Sequence, residues 1–167
     1  MGFNVLGIVL SKQFKNKTEL CKNLGIGEVE PVDSNAVFEE AILSYSMGDD
    51  DVYITEVGNG TLITFGVEID YVKVTAKSST ADGGKGMTFI MGDSVGLYNL
   101  FYSEDGKGLR SLNSAEGKIT DNRGNRLLIE TEGKDISVII FDLIGEITGV
   151  RFWDIEPEHP AQLFRRK

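Results

Sequence analysis

Residues 87–101, MTFIMGDSVGLYNLF, admit two readings. Gly92-Asp93-Ser94-Val95-Gly96 fits G-x-S-x-G, the pattern in which a sharp strand-to-helix turn presents a serine nucleophile. The same five residues suit a glycine corner between two strands, with Asp93 and Ser94 as turn formers. The first reading demands parallel strands joined by helical crossovers. The second demands an antiparallel sheet.

The flanking sequence favours the corner. Met87–Met91 and Leu97–Tyr102 both read as strands. The second arm runs into Glu104-Asp105-Gly106-Lys107, a hairpin signal, where an elbow would run into a helix. This hairpin should pair Glu104 with Lys107 and Tyr102 with Leu109. Between Asp51 and Glu132 there is almost no room for crossover helices.

Upstream lies another hairpin, DVYITEVGNGTLITFG, residues 51–66. An Asn59-Gly60 turn would set Val57 opposite Leu62, Thr55 opposite Thr64 and Ile54 opposite Phe65. One face then collects Val52, Ile54, Ile63, Phe65 and Val67, with the strand running to Ile69 or beyond. Ser78–Gly86 is a polar, glycine-rich loop. Ile119 and Leu127-Leu128-Ile129 suggest a third hairpin, turning near Gly124-Asn125.

Helical signals lie outside this run. Thr18 can cap a short helix carrying Leu20, Cys21 and Leu24, stopped by Gly25. Asp33, Ser34 and Asn35 offer caps for a second, with Val37, Phe38, Ala41, Ile42 and Tyr45 inward. Ile136, Ile139, Ile140, Leu143, Ile144 and Ile147 repeat at i, i+3, i+4, i+7, i+8 and i+11, one face of a helix between Asp135 and Gly149. Phe3–Leu10 is nearly continuous in apolar and small residues, as a central strand would be. Val150–Ile155 and Ala161–Phe164 read as short extended pieces around Pro157 and Pro160. Strand runs separate from helix runs, which marks a single α+β domain: a mostly antiparallel sheet of consecutive hairpins with two N-terminal helices and one C-terminal amphipathic helix covering one face.

The totals agree. At 167 residues, with 41% hydrophobic and 26% charged, the chain can bury a core without a disulfide or metal. Twenty glycines against three prolines favour tight turns over stiff linkers. One cysteine forbids an intramolecular disulfide, so a cytoplasmic location is the expectation. The opening MGFNVLGIVLSKQFK lacks the basic start and cleavage pattern of a signal peptide. A formal charge of −9 disfavours nucleic acid and anionic membranes and would suit a basic protein partner.

Catalytic and metal chemistry finds little support. A serine hydrolase would use Ser94 and His159, with Asp121, Asp135, Asp142 or Asp154 between them, but His159 sits between Pro157 and Pro160 in a polar tail. ADGGKGMT, residues 81–88, fails as a phosphate loop because Ser79 replaces its first glycine and Gly86 its hydroxyl residue. One histidine and one cysteine cannot make a zinc site, and Asp49-Asp50-Asp51 lacks a calcium-loop spacing. No cofactor motif is present. Trp153, the sole tryptophan, should plug the core edge, and Arg165-Arg166-Lys167 should be a frayed tail. The reading is a non-catalytic protein-interaction module, inhibitor-like or regulatory, with Asp49, Asp50, Asp51 and Trp153 as its interaction surface. A small-molecule cup between sheet and helices is the alternative, and exposed strand edges would allow a homodimer.

Overall fold

The computed structural model describes residues 2–43, 47–66, 80 and 83–167. The expected placements of Tyr45 and Val67, the run to Ile69 and Ser79 lie outside them. The described strands are β1 (Asn4–Leu10), β2 (Val29–Val37), β3 (Asp51–Val57), β4 (Gly60–Phe65), β5 (Lys85–Gly92), β6 (Leu97–Glu104), β7 (Lys107–Ala115), β8 (Lys118–Gly124) and β9 (Pro160–Arg166). The helices are α1 (Lys17–Asn23), α2 (Phe38–Ile42) and α3 (Ile136–Thr148), with a short 3-10 turn at Phe152–Asp154. Among the described residues the strands form one nine-stranded sheet, β2-β9-β3-β4-β1-β5-β6-β7-β8. All its neighbours are antiparallel. The α+β class holds.

The run of consecutive hairpins holds in part. β3–β4 and β5–β6–β7–β8 pair in sequence, but β1 enters between β4 and β5, and β9 enters between β2 and β3. β1 is buried on both faces. Val5 and Val9 join the core under α3, while Ile8 and Leu10 join the core under α1. Alternation sends successive side chains to opposite faces, so the helices cover both faces of the sheet and not one. That explains why β1 reads as a continuous apolar run.

α3 forms as its spacing predicts. Ile139, Ile140, Leu143, Ile144 and Ile147 pack on Val5, Val9, Leu62, Met87 and Leu100. Gly149 ends the helix at φ 83°, its N–H donating to the Gly145 carbonyl at 2.9 Å. α1 is capped by Asn16, whose side chain accepts from the Glu19 N–H at 3.0 Å; the expected cap, Thr18, lies inside the helix. Leu20, Cys21 and Leu24 are buried beneath it.

The second expected helix is present but begins later than its expected caps. Asp33, Ser34 and Asn35 lie in β2, and only Phe38–Ile42 is helical. β2 pairs with β9 through two register shifts, and the Asp33 side chain accepts the Asn35 N–H at 2.8 Å. A bulged edge strand with a proline carries no alternation to read.

Turn positions also differ. The β3–β4 turn is Gly58-Asn59, so Val57 faces Gly60, Thr55 faces Leu62 and Ile54 faces Ile63. Only Gly58 of the pair has positive φ, 55°, the pattern of a type II′ turn. The end of α3 selects this turn: the Asn59 N–H donates to the Thr148 carbonyl at 2.9 Å. The shift is two residues, which preserves faces, so Val52, Ile54, Ile63 and Phe65 still share one core. At Asp105-Gly106, Glu104 does pair with Lys107, but a bulge sets Tyr102 opposite Arg110 and leaves Leu109 exposed. β7 turns into β8 at Glu116-Gly117, both at positive φ, and not near Gly124-Asn125. Leu127–Ile129 forms a turn, with Leu128 fully exposed.

Ala161–Phe164 is extended as expected, and Arg165 and Arg166 continue the same interior strand and are not a frayed tail. β9 buries Ala161 and Phe164 between β2 and β3. Val150–Ile155 is not extended but contains the 3-10 turn. No helix of the described residues is long and apolar enough to cross a membrane.

Candidate functional site

The Gly92–Gly96 run is a strand-to-strand corner. Residues 93–96 join β5 to β6, with Gly92 paired to Leu97. Their polar groups secure the start of β1. Asp93 donates its N–H to the Phe3 carbonyl at 2.9 Å, and its carboxylate accepts the Phe3 N–H at 2.7 Å. The same carboxylate accepts the Tyr98 hydroxyl at 2.5 Å; that bond, with some burial, pushes the phenol up to about 12. Ser94 Oγ donates to Asn4 Oδ1 at 2.6 Å.

His159 lies elsewhere. Its Nε2 is 2.6 Å from the Glu56 carbonyl, which can only accept, so Nε2 carries the proton. Glu56 pairs with Thr61, and Thr61 with Leu10. Ser94 therefore sits at one end of β1 and His159 near the other, roughly 20 Å apart along a seven-residue strand. The structure does not bring the two together.

Two of the three adjacent acids are engaged by the C-terminal strand. Asp51 is buried; it accepts from Arg165 Nε at 2.9 Å and from the Gly48 N–H at 2.8 Å. Asp50 lies 3.8 Å from Arg166 and accepts that residue's N–H through its carbonyl at 3.0 Å. Asp49 is exposed. Among the described residues no group of three or more His, Cys, Asp or Glu is arranged to hold a metal.

Trp153 does not plug the core. It is 67% exposed, resting on a cluster of rings. Its ring centroid is 4.8 Å from Phe141, 5.0 Å from Phe152 and 5.9 Å from Phe3. The Phe152 contact is edge-on, at 88°. Phe152 is buried and Phe3 is half-buried, so the platform is anchored from below while the indole faces water. The 3-10 turn that seats Phe152 inward sends its neighbour outward. Each outer ring has a carboxylate beside it in sequence: Asp154 next to Trp153, Asp142 next to Phe141. Asp93 is bonded to Phe3. Arg151 holds Asp154 at 2.9 Å, which pulls that acid below its ordinary range, and Lys134 holds Asp142 at 2.6 Å.

A groove of about 1470 Å³ opens on the other face of the sheet. Ile54 and Phe164 form its floor, with Gln162 paired to Ile54. The Gln13–Asn16 loop with Lys17 and Thr18 at the start of α1 makes one wall, and Pro31 and Ser34 of β2 the other. Gly58 and His159 also line it. Lys17 donates to Glu56 and to the Phe14 carbonyl, and Gln13 holds the Gly58 carbonyl at 3.0 Å. Lys12 sits 5.1 Å from the Phe14 ring centroid. This stretch carries no motif in the sequence. Its signal is local charge: Lys12, Lys15, Lys17 and Lys22 fall in one stretch with Glu19 as the sole acid, on a chain of net −9.

Comparison with protein-family models, with curated proteins and with solved structures finds no match.

Proposed function

We propose that this protein is a non-catalytic interaction module that docks a basic partner protein on the Trp153 platform. The supporting observation is the exposure of the sole tryptophan, two-thirds open to water, on an anchored stack of phenylalanines. A rigid, half-supported indole loses little conformational entropy on binding and offers a large area to desolvate. Interface anchors of this type cost about 2 kcal/mol or more when truncated. Its face also attracts lysine or arginine side chains. The overall charge of −9 would favour the approach of a cationic partner, while Asp154 and Asp142 beside the platform are already paired with Arg151 and Lys134. Engagement of Asp50 and Asp51 by Arg166 and Arg165 makes the acidic run a weaker part of this surface than Trp153. A reducing, cytoplasmic setting belongs to the same proposal, since Cys21 has no second cysteine to pair with.

Small-molecule binding is the weaker reading. The groove exceeds the roughly 300–1,000 Å³ of ordinary ligand pockets, which favours a larger occupant.

The test uses the indole as its own reporter. Partner capture from a lysate at low salt is run with the natural chain and with Trp153→Ala. Trp153 emission is then followed as an arginine-rich peptide is added. A captured complex lost at high salt and in Trp153→Ala, with emission changing on titration, supports the proposal. Capture unaffected by Trp153→Ala, or an emission that never responds, refutes it.

A further inference from the structure

The groove beneath the lysine-bearing loop is a second site, and it goes beyond the platform reading. We propose that it binds an extended acidic peptide segment with interspersed apolar residues.

Shape comes first. The cavity is open and long, running from Pro31 and Ser34 on β2 across β9 and β3 to Gly58. An extended chain presents side chains alternately to a surface and to water. The floor suits that alternation. Ile54 and Phe164 offer apolar contact, while Gln162 offers an amide that can both donate and accept.

Charge then selects the occupant. Among the described residues Glu56 is the one acid lining the groove, and Lys17 neutralises it. Lys15 lines the rim and makes no ion pair among the described residues. Lys12 adds a second positive charge beside Phe14. The rim is therefore positive on a protein whose total charge is −9. A basic segment would meet like charge here, and an acidic one would meet complementary charge. The Trp153 platform lies on the other face of the sheet, and its flanking Asp154 and Asp142 are paired with Arg151 and Lys134, so the two sites are separate and present different chemistry.

The experiment follows anisotropy of a short fluorescein-labelled peptide alternating glutamate and leucine, with a lysine–leucine peptide as comparison. The expected result is saturable binding of the acidic peptide and about tenfold weaker binding of the basic one. Lys12→Glu/Lys15→Glu, both at exposed positions, should weaken the acidic peptide by about tenfold or more, with unchanged circular dichroism. Trp153→Ala should leave this affinity unchanged, which separates this site from the platform. Equal binding of both peptides overturns the proposal. So does no binding of the acidic peptide, indifference to the double charge reversal, or loss of binding in Trp153→Ala.

Discussion

Arg110 and Glu130 face each other inside the protein through two parallel hydrogen bonds, Nε to Oε2 at 2.9 Å and Nη2 to Oε1 at 2.7 Å. Both side chains are almost fully buried. Arg110 also donates to the Asn122 side chain at 2.7 Å and to the Arg123 carbonyl at 3.0 Å, while Glu130 accepts the Leu127 N–H at 2.6 Å. The pair fastens the loop after β8 to the sheet. Removing one partner would leave a buried charge uncompensated, at about 3–5 kcal/mol. Glu130→Gln and Arg110→Met should each show a loss of that order in urea unfolding. Arg110→Met/Glu130→Leu should lose clearly less than the sum. Additive losses would show that the two groups are not coupled.

The same pair predicts an acid limb in stability. Burial pushes the Glu130 carboxyl up, but the Arg110 bonds and the Leu127 N–H outweigh it and hold it below the ordinary 4.5. The unfolded chain then binds the proton more readily, so stability falls with falling pH. The contribution is complete above about 4.5 and disappears as pH drops through the lowered value. Unfolding midpoints measured across this range should show a shallower decline in Glu130→Gln than in the natural chain. Parallel declines would contradict the assignment.

β9, an interior strand between β2 and β3, should be essential to folding. Phe164→Ala removes a buried ring and should cost about 3–5 kcal/mol. Deleting residues 160–167 would strip β2 of its described partner and uncover one side of β3. That variant should lose its cooperative thermal transition. A folded truncation of unchanged midpoint would mean that β9 is dispensable.

Gly58 should tolerate no side chain. Its φ is 55°, and a Cβ would lie 2.4 Å from the Thr148 carbonyl oxygen, a backbone atom that cannot swing away. Gly117 has φ 77° but nothing within 4 Å of its Cβ position. Gly117→Ala should therefore cost only the left-handed strain of about 1–2 kcal/mol. Gly58→Ala should cost appreciably more, read from paired urea titrations. Equal costs would mean that the contact with α3 relaxes freely.

Cys21 should be inert in the native state. It is fully buried, and burial pushes its thiol up to about 12, so almost no thiolate forms at neutral pH. A thiol reagent should modify it only as fast as the protein opens, and rapidly in denaturant. Fast native modification would place the side chain at the surface.

Ser94 should behave as a turn residue. Its hydroxyl donates to Asn4 with no base beside it, so a fluorophosphonate probe should leave it unlabelled. Ser94→Ala should cost about 1 kcal/mol, the worth of one hydrogen bond. Covalent labelling at Ser94 would restore the hydrolase reading.

What the sequence determined by itself is the set of features governed by local rules. The six-isoleucine-and-leucine stripe of α3, the doubly buried β1, the burial of Cys21 and the corner at Gly92–Gly96 each follow from periodicity or turn chemistry within one segment. Tertiary structure decided whatever depends on a distant partner. Arg165 and Arg166 read as a frayed tail until β2 and β3 accept them, and Asp33–Asn35 read as helix caps until β9 lies beside them. The β3–β4 turn moves by one residue because the end of α3 offers a carbonyl to Asn59. Leu109 is displaced by Arg110 because Glu130, twenty residues on, needs a buried cation. Trp153 faces water because Phe152 takes the inward position. Backbone hydrogen bonds and ion pairs between remote segments leave no periodic mark in either strand, so their outcome is settled only when the chain has closed on itself.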